Sequence, residues 1–147
     1  MVDQEATEIE NNIKKPFKMN YYYNKVLKDN SFDEAIERVT DELKKEGFGV
    51  LTEIDVKETL KKKLDVDFRR YRILGACNPS FAYKALQAEG KIGVMLPCNV
   101  VVEEHETGEV EVSAVDPTAS MQAISNKELG DIAMEIKSKL QIVVDKL

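Results

Sequence analysis

Residues 71–79 have the sequence Tyr-Arg-Ile-Leu-Gly-Ala-Cys-Asn-Pro, in which an alternating strand pattern leads directly into a helix start. Side chains alternate between two faces from Phe68 to Ala76, which predicts a β-strand. Asn78 is a favoured N-cap residue. Proline suits the first helical position, because its φ is already helical and its missing N–H needs no partner there. The segment therefore predicts a strand that turns into a helix at Cys77.

The segments on either side supply further strands and helices. Ser31 and Glu34 form a capping-box pattern, in which each side chain can accept a hydrogen bond from the other residue's backbone amide. Gly47 is placed to end that helix in a left-handed conformation. Similar N-cap patterns start at Asp55 and Ser125. Strands are predicted over residues 19–27, 48–54, 68–76, 92–103 and 109–115, with a long helix closing the chain.

This order predicts an α+β fold in which helices cover one face of a curved, mainly antiparallel, five-stranded sheet. Residues 92–103 are nearly all apolar and are predicted to form a central strand, with a bulge or bend at Pro97 because proline cannot donate to a sheet ladder. We also expect inward-facing side chains in the first strand and in the short helix after Asp55. They are Tyr21, Tyr23, Val26, Val56, Leu60 and Leu64.

Length and composition favour one globular domain. The chain has 147 residues, 43% of them hydrophobic and 33% charged. We expect a single domain over residues 20–147, preceded by a tail or peripheral helix at residues 1–19. The net charge of −6 argues against general binding to nucleic acid or to anionic membranes. No secretory signal pattern and no apolar run of about 20 residues is visible, which predicts a cytoplasmic protein whose two cysteines are thiols.

Two Cys-Asn dipeptides, Cys77-Asn78 and Cys98-Asn99, are the unusual chemical feature of the sequence. The dipole of a helix favours the thiolate form of a cysteine at its N-terminus, so Cys77 is a candidate reactive thiol or soft ligand. The asparagine amides can orient a ligand or a backbone turn. The structural alternative is that both cysteines are small buried hydrophobic residues and that Asn78 is a helix cap.

Other polar residues are weaker candidates. Arg70 and Arg72 are predicted on the strand face shared with Leu74, where a guanidinium group needs a carboxylate or a bound anion. Asp116 follows the last strand and is either a site residue or a helix cap. His105 is the only histidine and stands in an acidic turn, which we expect to be remote from both cysteines. These residues therefore predict neither a metal site nor a cofactor.

Two blocks of sequence resemble the domain-of-unknown-function 302 family. Residues 71–86 contain YRILGACNP and AYKAL, and residues 93–117 contain GVMLPCNVVV and VDP. The resemblance implies a TATA-binding-protein-like arrangement of sheet and helices, a homodimer, and no established activity. The fold name implies no DNA binding. The candidate positions carried over are Cys77, Asn78, Pro79, Pro97, Cys98, Asn99 and Asp116.

Three functions stay open at this point. The first is a dimeric module that binds a small anionic or sulfur-containing ligand, with candidate contacts at Cys77, Asn78, Cys98, Asn99, Arg72 and Asp116. The second is a thiol enzyme of redox or sulfur-transfer type, for which neither a general base nor a Cys-x-x-Cys pair is visible. The third is a structural or interaction protein that dimerises through the first strand or the last helix. The first hypothesis requires both Cys-Asn pairs to meet at one cavity.

Overall fold

Residues 20–147, which the computed structural model describes, form five strands and five α-helices. The predicted tail at residues 1–19 lies outside the described residues. In chain order the elements are β1 (Tyr22–Leu27), α1 (Phe32–Lys45), β2 (Gly49–Asp55), α2 (Val56–Leu64), β3 (Tyr71–Cys77), α3 (Pro79–Ala88), a 3₁₀ turn (Ile92–Met95), β4 (Cys98–Glu104), β5 (Val110–Val115), α4 (Pro117–Ser120) and α5 (Lys127–Asp145).

The strands form one sheet in the order β1-β5-β4-β3-β2, and every neighbouring pair is antiparallel. The predicted α+β class, the five-stranded antiparallel sheet and the long last helix are confirmed. β4 and β5 form a hairpin, and β3 lies on the other side of β4. β1 and β2 are the two edge strands, so their outer backbone groups have no neighbour in the sheet of the described residues.

The core lies between one face of the sheet and the helices α1 and α5. Alternate residues of the central strands, such as Val100, Val102, Val110 and Val112, point to that face and are buried. Residues of α5 at helical spacing, among them Leu140, pack against these valines. Burying a valine or leucine side chain contributes about 1.5–3 kcal/mol, which makes this layer the main stabilising contact of the fold.

Local capping signals set the helix ends. Ser31 Oγ accepts a hydrogen bond from Glu34 N at 3.2 Å, and the Glu34 carboxylate accepts one from Ser31 N at 3.4 Å, as the capping box predicts. Gly47 follows α1 with φ +86°, the left-handed conformation that glycine adopts without strain. The start of α5 differs from the prediction. Asn126 rather than Ser125 is its N-cap, because the Asn126 side chain accepts hydrogen bonds from two amides of the first turn.

The apolar segment predicted as one strand over residues 92–103 divides into two parts. Ile92–Met95 is a 3₁₀ turn, the Leu96–Pro97 peptide is cis, and β4 begins only at Cys98. Pro97 has no N–H for the ladder, so hydrogen bonding to β3 starts after it. The apolar residues before the proline therefore pack outside the sheet, and Ile92 is fully buried there.

Several side chains predicted to face inward are exposed. Tyr21, Tyr23 and Val26 are 63%, 37% and 40% exposed, because β1 is an edge strand and Leu27 is its one buried residue. Tyr23 instead donates a hydrogen bond from its hydroxyl to Asp145 at 2.8 Å. No residue of α2 is buried, and Leu64 is 65% exposed. Strand alternation and helical spacing predict which residues share a face, but they do not show how much of that face another element covers.

The core layer gives a stability prediction. Leu140→Ala should destabilise the protein by about 2–5 kcal/mol, since it removes a fully buried side chain and leaves a cavity. Ile142→Ala is the matched control on the same helix. Ile142 is 40% exposed, so its truncation should cost less than about 1 kcal/mol. Urea unfolding followed by circular dichroism measures both. Equal losses for the two variants would contradict the placement of α5 on the sheet.

Candidate functional site

A cavity of about 320 Å³ lies where β3 ends and β4 begins. The register of these strands pairs Ala76 with Cys98, which brings the end of β3 and the start of β4 to one place. Cys77, Asn78 and Cys98 all line the cavity, together with apolar residues of α3 and α5. The two predicted thiols therefore share one cavity, although 20 residues separate them in the chain.

The walls of the cavity are apolar. α3 contributes Phe81 and Ala85, and α5 contributes Ala133 and Ile136. Among residues 20–147, none that lines the cavity is charged, and the polar lining side chains are a threonine, an asparagine and the two thiols. Water finds few hydrogen-bond partners on such a surface. The cavity therefore favours apolar molecules with few hydrogen-bonding groups.

Of the two cysteines, Cys98 is the one that packs against the main core. Both are free thiols. Burial, reinforced by the nearby Cys77, raises the pKa of the Cys98 thiol to about 11. Cys98 is therefore protonated at neutral pH and is a poor nucleophile.

Asn78 is the N-cap residue of α3 and Pro79 its first residue, as predicted, but the Asn78 side chain makes no hydrogen bond to the first turn of that helix. Instead its Nδ2 donates to the backbone oxygen of Glu46 at 3.2 Å, and this bond joins the end of α1 to the start of α3. A Cβ added at Gly47 would lie 3.1 Å from that nitrogen, so the glycine also leaves room for the Asn78 amide.

Gly75 lies beside two cavity residues, the predicted candidate Pro97 and Thr52, which the sequence did not single out. A Cβ built on Gly75 would lie 2.0 Å from Thr52 Oγ1 and 2.8 Å from Pro97 Cγ, so only glycine allows both side chains to cross the strand here. Thr52 and Pro97 line the cavity. A glycine inside a predicted strand indicates this kind of close approach, and it was the signal available for Thr52.

Three of the six predicted ligand contacts lie away from the cavity. Asn99 lines a groove with Tyr22 and Tyr71, on the sheet face opposite the main core. The guanidinium group of Arg72 pairs with Glu53 at 2.9 Å and Asp55 at 3.3 Å. These two carboxylates balance the charge of the Arg72 guanidinium group, which therefore needs no bound anion.

Asp116 acts as the N-cap of α4. Its Oδ1 accepts hydrogen bonds from Thr118 N at 2.9 Å and from the Thr118 hydroxyl at 2.6 Å, and its Oδ2 pairs with Lys137 at 3.1 Å. Burial alone would raise the pKa of Asp116, but these partners outweigh it and hold the pKa below its usual value. Its neighbour Pro117 is the residue that reaches the cavity.

Comparisons with known proteins identify relatives of this chain. The family model described as "Domain of unknown function DUF302" matches residues 23–147. The crystal structure of an uncharacterized conserved DUF302 protein from Bacillus stearothermophilus has a TM-score of 0.80 and 32% sequence identity to this chain. The match covers 87% of this chain and 98% of that one. No curated protein matches. Across residues 20–147, no helix has the length and apolar character needed to span a bilayer.

The raised pKa of Cys98 gives a reactivity prediction. At pH 8 a thiol with a pKa of about 11 carries about 100-fold less thiolate than one with the ordinary value of 9.0. A thiolate of higher pKa is also more nucleophilic, which restores about 10-fold of the rate. Alkylation of Cys98 by iodoacetamide should therefore be at least about 10-fold slower in the folded protein than in the urea-unfolded chain. Rates resolved by peptide mass spectrometry test this. Equal rates in the two states would contradict the described burial of Cys98.

Proposed function

Because this chain belongs to the DUF302 family, whose description assigns no activity, we propose from its cavity that it is a binding module for a small, uncharged, largely apolar molecule. The observation that carries the proposal is the cavity of about 320 Å³ with apolar walls and two thiols. Ligand pockets span about 300–1,000 Å³ and combine apolar walls with a few polar groups, and this cavity lies at the small end of that range.

The size of the cavity limits the ligand. An engineered apolar cavity of about 150 Å³ in another protein binds benzene, and the present cavity is about twice as large. It therefore suits a molecule of about two to three aromatic rings or a short acyl chain. A Kd in the micromolar range corresponds to about 8 kcal/mol. For about twelve to seventeen non-hydrogen atoms this is about 0.5–0.7 kcal/mol per atom, within the range of about 0.3–1.5 kcal/mol that ligands reach.

The lining supports an uncharged ligand rather than the anionic one that the sequence suggested. No lysine or arginine lines the cavity within the described part of the chain. Lys84 and Lys139 lie 5.6 Å and 5.9 Å from the centre of the Phe81 ring and do not line the cavity themselves. An anion in the cavity would lose its hydration without gaining a charged partner.

Binding is also better supported than thiol catalysis. A nucleophilic cysteine needs a lowered pKa or an adjacent base, and the pKa of Cys98 is raised. Histidine, aspartate, glutamate and lysine are all missing from the residues of the described chain that line the cavity. No side chain of these lining residues can therefore act as a base toward the thiol of Cys77 or Cys98.

We predict that the full chain binds the neutral fluorophore N-phenyl-1-naphthylamine with a Kd in the micromolar range, measured by the rise in fluorescence on titration. Ala133→Leu should weaken this binding at least about 10-fold, because Ala133 is buried on the cavity wall and a larger side chain fills the space. Met134→Leu is the matched control, since Met134 is the next residue of α5 and is 58% exposed.

The thermal unfolding midpoint of each variant shows whether it folds. If Ala133→Leu unfolds, Ala85→Leu introduces the same group from α3, where Ala85 is also buried on the wall. Failure of the wild-type chain to bind the fluorophore, or equal binding by a folded cavity variant and Met134→Leu, would refute the proposal.

A homodimer is the second part of the proposal. β1 is an edge strand with exposed tyrosines, and antiparallel pairing with β1 of a second copy would satisfy its outer backbone groups on both chains. Light scattering coupled to gel filtration should then give twice the chain mass of 16.6 kDa at about 100 µM protein. The single-chain mass at that concentration would contradict the dimer.

A further inference from the structure

A cluster of three potential metal ligands lies at the β4–β5 hairpin, on the sheet face opposite the main core. Glu103 on β4 and Glu111 on β5 are direct cross-strand partners. Both also line the groove that contains Tyr22 and Tyr71. His105 follows β4, and its ring approaches the two carboxylates. One ligand atom from each of the three residues lies within 4.8 Å of the others.

The direct pairing of two glutamates needs a cation. Like charges opposite each other on neighbouring strands destabilise a sheet, because their Cβ atoms are only about 4.5–5.5 Å apart. The Arg69 guanidinium balances part of this charge, with its Nη2 3.0 Å from Glu103 Oε1. His105 Nε2 lies 2.8 Å from Glu111 Oε1. Arg69 and His105 therefore each contact one of the two paired carboxylates.

Each carboxylate also has one oxygen held by a residue outside the cluster. Arg69 contacts Glu103 only through Oε1, with Nε at 3.1 Å, which leaves Oε2 without a hydrogen bond from a described residue. The Asn24 amide donates to Glu111 Oε2, which leaves Oε1 directed at the histidine. Metal sites use outer partners in this way to orient the ligating oxygen and hold it in place.

The hairpin turn positions the histidine. His105 N donates to the backbone oxygen of Glu109 at 2.8 Å, and His105 O accepts from Gly108 N at 2.9 Å. Gly108 has φ +87°, a conformation that permits this tight turn. The histidine backbone is thus anchored next to the two strands, and only its side chain needs to adjust to an ion.

From this geometry we propose that Glu103, His105 and Glu111 bind one divalent transition-metal ion, with Zn²⁺ as the ion of highest expected affinity. One imidazole nitrogen and two carboxylate oxygens are ligands that zinc accepts at about 2.0–2.2 Å. The ion binds in place of the hydrogen between His105 Nε2 and Glu111 Oε1, and the imidazole proton moves to Nδ1 or to solvent. Because Glu103 and Glu111 line the groove, water or a second molecule can reach the ion from there. This site is independent of the apolar cavity.

The test is a titration of the untagged full chain with ZnCl₂, followed by NMR of the imidazole resonances. His105 is the only histidine, so its signals need no assignment and should shift to saturation at one equivalent of Zn²⁺. Glu111→Gln should weaken binding at least about 100-fold, because it removes a ligand and not merely an outer partner, whose loss costs about 10–100-fold.

Two controls separate this site from other causes. Glu104→Gln removes an acid from the neighbouring position of β4, where Glu104 pairs with Arg70, and it should bind Zn²⁺ like the wild type. The Cys77→Ser/Cys98→Ser variant should also retain the site, which shows that the thiols of the cavity are not the ligands. Absence of a saturable shift of His105, an unchanged affinity in Glu111→Gln, or loss of the shift in the double cysteine variant would overturn the proposal.

Discussion

The register between β3 and β4 is the constraint on which the rest of the structure depends. Leu74 pairs with Val100 and Ala76 with Cys98, and all four side chains pack into the core beneath the helices. A shift of one residue would turn this whole set to the opposite face, so burial fixes the register strongly. The same register determines which residues of two distant segments meet where the strands end and begin, and it therefore creates the site along with the core.

The cavity exists because several of the residues that surround it are small. The space of about 320 Å³ is partly open at the surface, and the apolar side chains that line it lack partner atoms on that side. Ala85 of α3 and Ala133 of α5 face it from the helices, while Gly75 allows Thr52 and Pro97 to approach from the sheet. Larger side chains at the two alanines would close the space with ordinary packing. Their small size keeps it open at the cost of dispersion contacts.

The sequence was sufficient for the features that local chemistry decides. The capping box at Ser31, the glycine end of α1 and the strand–helix corner at Cys77 could all be predicted. The features decided by tertiary contacts could not, and the meeting of the two cysteines at one cavity was a hypothesis that the sequence left open. Asn78 lies at the N-cap position that its local signals predict, but its side chain is oriented by the hydrogen bond that Nδ2 donates to the carbonyl of Glu46. Exposure of the first strand followed from its place at the sheet edge, which periodicity does not reveal.

Strand alternation explains why a Cys-Asn dipeptide is not a single functional unit. Cys98 packs against the core, whereas Asn99, one residue later, faces the opposite groove. The same alternation separates Glu103 from the buried valines of β4, so one strand presents an apolar face to the helices and a polar face to the groove. The uncharged ligand proposed for the cavity and the cation proposed for the groove therefore require different residue types on the same strand. Because neighbouring side chains of β4 point in opposite directions, the residues of one face can suit one ligand without altering the other face.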